Sequence, residues 1–116
     1  MAVRDREIVE ACLPLLRRVR VHPHGINERC FLTAYQIWLI LSRRDEPICG
    51  RLIGEYGPAV GGGGGKNVGP ALRIAQALGR SRRIETHYLD TRKIAFRGDR
   101  LFSASGEDCG LFRLRD

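Results

Sequence analysis

The chain is expected to fold as an α+β domain, a small helical domain followed by a C-terminal antiparallel β-hairpin or three-stranded sheet. Three observations point there. Apolar residues recur at helical spacing in four segments before residue 80. From Ile84 onward the period drops from 3.6 to 2. Gly and Pro clusters separate these segments. With 116 residues there is room for one domain, 1–116, around one hydrophobic core. Apolar residues at 43% and charged residues at 28% are ordinary for a globular protein, which excludes a disordered or fibrous chain.

The first helix is expected over 5–19. Asp5 is placed to cap it, Glu7 and Glu10 suit the positive end of the helix dipole, and Arg17 and Arg18 suit the other end. Ile8, Cys12, Leu15, Leu16 and Val19 share one face, while Pro14 predicts a kink or a split. Such a kinked first helix is also a candidate dimer element. Residues 21–25 (VHPHG) read as a loop.

A second helix is expected over 33–43, opened by a capping box of Thr33 and Gln36, with Asn27 as an earlier alternative cap. Its run AYQIWLIL is apolar around most of its circumference, which predicts a central, buried helix packed through Trp38 and Tyr35. A third helix, 47–56, starts at Pro47 and stops at Gly57-Pro58. Residues 57–66, with five consecutive glycines at 61–65, predict a flexible surface loop. A fourth helix, 69–78, carries Val68, Ala71, Leu72, Ala75 and Leu78 as its buried stripe. Lys66, Asn67, Arg73, Gln76 and Arg80 fall on or beside the opposite face. Strands follow at 84–89 and 93–97, joined at Asp90-Thr91-Arg92 as a hairpin, with a short last strand at 111–114 after a loop. Tyr88 and Phe96 are expected to pack against the helices.

The net charge is +7, from 20 basic and 13 acidic residues. Its placement is uneven. Residues 66–97 hold eight basic side chains against only Glu85 and Asp90, a local surplus of six. Such a stretch suits a polyanion, since guanidinium forks match phosphate oxygens. A solvated face is the plain alternative.

The order of a capped apolar helix (LTAYQIWLILSRR), a short second helix (PICGRLIGEYG), a third helix (NVGPALRIAQALG) and a ribbon (IETHYLDTRKIAFRG) resembles a winged helix-turn-helix domain over residues 32–97. The resemblance implies a non-catalytic, cytoplasmic regulator binding duplex DNA. It places Lys66, Asn67, Arg73 and Gln76 toward the DNA, Arg73 and Gln76 at base edges, Arg80, Arg82, Arg83 and Arg92 on phosphates, and Arg92 and Lys93 at the wing tip. The turn before the third of these helices is longer than the family's usual three or four residues. The alternative is a protein-binding or inhibitory module, of the kind found in phage and other mobile elements, which sets the same basic face and the glycine loop against an acidic protein surface. A homodimer is compatible with both.

Other chemistry is not expected. A P-loop needs glycine at position 60 and a hydroxyl at 67, where the chain has Val60 and Asn67. His22, His24 and Cys30 are three close zinc-type ligands where a structural site wants four. Glu107 and Asp108 beside Cys109 would raise its thiol pKa and not activate it. Cys12, Cys30 and Cys49 sit among apolar residues and read as reduced core residues. No cofactor, metal, catalytic group or membrane span is expected, and the charged opening Met-Ala-Val-Arg-Asp-Arg-Glu predicts an intracellular chain.

Overall fold

A computed structural model describes residues 2–19, 29–57, 69–90, 95–96, 99–100 and 108–115. Among them are four helices, α1 (Asp5–Arg18), α2 (Ala34–Arg43), α3 (Pro47–Tyr56) and α4 (Pro70–Arg80), and five strands, β1 (Leu32–Thr33), β2 (Ile84–Asp90), β3 (Ala95–Phe96), β4 (Asp99–Arg100) and β5 (Asp108–Leu114). The protein is α+β, with an antiparallel three-stranded sheet in the order β1-β5-β2 and a separate two-stranded pair, β3-β4.

The helices form where the apolar spacing places them, with local differences that have physical causes. Asp5 does not cap α1. Arg4 holds that position, its backbone N–H donates to Glu7 Oε2 at 3.0 Å, and Asp5 turns to arginines on α4 instead. Pro14 does not split α1, which runs unbroken through it. Pro14 is exposed, as is Glu10 four residues earlier, so the carbonyl left without its helical donor lies on the solvent side. The apolar stripe of α1, including Ile8, Cys12, Leu15 and Leu16, is buried within this chain, so this face of α1 belongs to the core.

Thr33 and Gln36 form the capping box of α2: Gln36 N–H donates to Thr33 Oγ1 at 3.2 Å and Thr33 N–H to Gln36 Oε1 at 2.8 Å. Ala34, Ile37, Trp38 and Leu41 are buried, while Leu39 is 49% exposed, so α2 is buried on one side and open on another. α2 packs against α1, α3, α4, β1 and β5, and α4 against α1, α2, α3, β2 and β5. α4 runs to Arg80, past Gly79, and ends at Ser81. The stop of α3 at Gly57 is a backbone requirement, since φ is 80° there.

The strand pairing also differs from expectation. Ile84 does not begin a tight hairpin with 93–97. Its strand pairs along its whole length with β5, from Ile84↔Leu114 to Asp90↔Asp108. β5 is the central strand, longer than the expected 111–114, and β1 pairs on its other side through Leu32↔Phe112 and Thr33↔Leu111. The register puts Ile84 opposite Leu114, both buried on the face toward the helices, and places Phe112 between β1 and β2 at 2% exposure. That burial is what β5 offers β2. Tyr88 is also corrected: at 71% exposure it does not pack against the helices. The side chain of Phe96 lies outside the described residues.

Gly110 explains itself by a close approach. A Cβ there would sit 2.7 Å from the Phe112 ring. Gly110→Ala should therefore cost about 1–3 kcal/mol through overpacking. Gly79 is helical with open space around it, and Gly79→Ala should leave stability unchanged or raise it by up to about 1 kcal/mol. Urea denaturation of the two variants side by side checks this pair.

Candidate nucleic-acid interface

α4 carries the residues expected to face DNA, so its surroundings decide what it can do. Pro70, Ala71, Arg73, Ile74, Ala77 and Leu78 are buried, and Leu72, Ala75 and Gln76 are half-buried. Only Gly79 and Arg80, at its end, are exposed. A helix that reads bases needs an open face for the major groove. α4 has none before its last two residues.

Arg73 is the clearest correction. It is 8% exposed, the one buried charged residue among those described. Its Nε donates to the Tyr56 hydroxyl of α3 at 3.1 Å, and its Nη2 donates to the Val3 carbonyl at 2.9 Å. Its Nη1 lies 2.7 Å from Asp5 Oδ1, an ion pair and not an aligned hydrogen bond. All three nitrogens thus face protein, and none is left to read a base. Burial works against the charge, but the Asp5 carboxylate and Tyr56 hydroxyl outweigh it and hold the guanidinium proton more firmly than usual. In return the Arg73 guanidinium, helped by that of Arg80, holds the Asp5 carboxyl below its ordinary range against the cost of desolvation.

The other expected site residues divide clearly. Arg80 is exposed and its Nη1 meets Asp5 Oδ2 at 3.1 Å. Arg83 is exposed and its Nη1 meets Glu10 Oε1 at 3.4 Å. Arg82, between them, is exposed and has no ion pair among the described residues. Gln76 is half-buried. Lys66, Asn67, Arg92 and Lys93 lie outside the described residues, as do His22, His24 and the glycines at 61–65. The structure therefore brings Arg80, Arg82 and Arg83 together in one exposed turn and removes Arg73 from it.

A second polar cluster was not legible from composition. Glu85 and Arg113 stand opposite each other in the β2–β5 register and are paired through both nitrogens of the guanidinium fork at 3.1–3.2 Å. Arg113 also lies 4.4 Å from the centre of the Phe31 ring, which meets His87 edge-on at 5.2 Å. Arg113, and secondarily His87, pulls the Glu85 carboxyl below its usual range. This cluster ties the segment before β1 to the sheet.

Burial pushes the Cys12 thiol up to about 12, and it also raises Cys49 and Cys109. For Cys109 the cause is burial; Glu107 and the side chain of Asp108 lie outside the described residues. Among the described residues no group of His, Cys, Asp and Glu is arranged to hold a metal ion, and no helix is long and apolar enough to cross a membrane. No family model, curated protein or solved structure matches the chain.

Two measurements separate a structural Arg73 from a nucleic-acid contact. Arg73→Lys, which cannot reproduce the fork, should lower stability by about 2–3 kcal/mol, short of the ~3–5 for a fully buried pair because Asp5 keeps a third of its surface exposed. Asp5 is held low, so its contribution is present above its unfolded pKa of about 3.9 and is lost as pH falls through the lower folded value. Urea curves from pH 6 down to 2.5 should show a steeper loss for the native chain than for Asp5→Asn.

Proposed function

We propose that this is a cytoplasmic, non-catalytic protein that binds duplex DNA through its phosphate backbone and does not read base edges with α4. The observation that carries this reading is the exposed turn between α4 and β2. Within four residues it presents Arg80, Arg82 and Arg83, whose carboxylate partners among the described residues are Asp5 and Glu10. The whole-chain charge supports it. The seven positive charges in excess of the acids are not neutralised within the chain, whichever arginines the carboxylates pair with. Exposed arginines such as Arg6, Arg18, Arg43 and Arg44 carry part of it. Backbone contacts need such charges and no fixed sequence.

The ribbon fits this reading in altered form. Two long antiparallel strands, β2 and β5, are joined through residues 91–107, which include Arg92, Lys93 and Arg97. Arg92 and Lys93, which lie outside the described residues, are assigned here to phosphate contact, as the resemblance implies. An acidic protein surface is the second reading, favoured by Tyr88, whose ring is 71% exposed at the end of an edge strand and suits a protein contact.

The deciding measurement is fluorescence anisotropy with a labelled duplex at 50 and 200 mM salt. Affinity should fall steeply with salt and vary little with sequence. Arg82→Glu and the pair Arg92→Glu, Lys93→Glu should each weaken binding and flatten the salt slope, with the melting temperature unchanged. Affinity indifferent to salt, or no binding at 50 mM, sinks the proposal.

A further inference from the structure

A groove of about 270 Å³ runs between the first turns of α1 and the end of α4. Its floor is apolar, made by Val9 and Ala77, and its rim carries Arg6, Arg80, Ser81 and Arg83 beside Asp5 and Glu10. The two carboxylates are already engaged, Asp5 by Arg73 and Arg80, and Glu10 by Arg83. Arg80 and Arg83 each meet their carboxylate through Nη1 alone, so Nε and Nη2 of both remain for another acceptor. Ser81 Oγ accepts from the Arg83 N–H at 3.2 Å, which leaves its hydroxyl proton to donate. Arg6 is exposed and has no ion pair among the described residues.

Counting Arg73 beneath the rim, four guanidiniums share two carboxylates, so the groove carries a local surplus of positive charge. The pairs that hold Arg80 and Arg83 are half exposed or more on the arginine side, and exposed pairs contribute little. Either arginine can therefore turn part of its fork to an incoming anion without loss of the fold. The volume lies just under the ~300 Å³ at which small-ligand sites begin, room for one sugar-phosphate-sized group.

We propose that the α1–α4 groove binds a phosphate ester, with the phosphate held between Arg6, Arg80 and Arg83 and the carbon body laid on Val9 and Ala77. The donors suit a dianion, since forked guanidiniums pair with phosphate oxygens in a bidentate way. The floor discriminates an ester from bare phosphate. The ester can be a free sugar phosphate or one unit of a nucleic-acid backbone; the second source rests on the DNA reading above.

The test is a titration of the full chain followed by amide NMR at Val9, Ala77 and Ser81, with ribose 5-phosphate, ribose, inorganic phosphate and a short duplex as probes. Saturable shifts at these amides from ribose 5-phosphate, weaker ones from inorganic phosphate and none from ribose support the groove. Arg6→Gln with Arg83→Gln should weaken the ester at least tenfold, and Glu10→Gln, which releases Arg83, should tighten it. Arg6→Gln alone, an exposed change, keeps the test valid if the double variant loses stability. Silence at these amides with ribose 5-phosphate, an equal response to ribose, or unchanged affinity in both arginine variants overturns the proposal. If ribose 5-phosphate binds here and the duplex does not, the groove stands and the DNA reading falls. If the duplex binds in a salt-dependent way while these amides stay silent to every probe, the groove falls and the DNA reading stands.

Discussion

The Arg73 guanidinium joins three parts of the chain that have no other common polar contact. Through Val3 and Asp5 it holds the start of α1, and through Tyr56 it holds the end of α3. Val3 is fixed from both sides, since its N–H donates to Glu55 of α3 at 2.7 Å while its carbonyl accepts from Arg73. A buried charge is tolerable when a counter-charge is close and hydrogen bonds meet part of its donors, as Asp5, Tyr56 and Val3 do for Arg73. Those conditions fix where α1 and α3 can sit against α4. Once α4 is held so, its two long sides are covered by helices and by the sheet, and it becomes the core of the domain.

That constraint also sorts the arginines. Arg73 and Arg80 are seven residues apart, two turns along one side of α4, and both reach Asp5. Arg73 lies under the surface and its charge is spent on the fold. Arg80, at the exposed end of the helix, shares the same carboxylate but keeps most of its donors. The turn to β2 then adds Arg82 and Arg83 at the surface. One helix face thus passes from a buried guanidinium to an exposed one over two turns.

Much of this was legible in the sequence, and the failures have specific causes. The limits of α2 and α3 follow from local signals: the Thr33–Gln36 box, Pro47 at a first turn, and Gly57 at positive φ. Local signals involve residues within one turn of each other, so the sequence displays them directly. Arg73 was misjudged by its residue type and not by its position. It lies three residues after Pro70 and four before Ala77, inside the buried arc of α4, but arginine is rarely buried without a partner. The partners are far away in sequence, Val3 by 70 residues and Tyr56 by 17, and no local pattern announces them. The strand pairing was missed for the same reason. The period-2 pattern identified β2, but its partner was taken from the nearest alternating run. The true partner is β5, chosen by packing: Phe112 and Leu114 fill the space under the helices, and Gly110 makes room for the Phe112 ring.

The placement of α4 bears on recognition in a way composition alone could not show. α4 is buried on most of its sides, so the DNA reading proposed above rests on exposed charge and not on that helix. What stays at the surface is charge in excess of the acids, concentrated at the α4–β2 turn in Arg80, Arg82 and Arg83. Contacts built from such charges follow the spacing of phosphates and not the identity of bases. In the groove proposed above, the Asp5 and Glu10 carboxylates hold one nitrogen each of Arg80 and Arg83 and compete with an incoming anion for those arginines, while the donors they do not engage stay open to it.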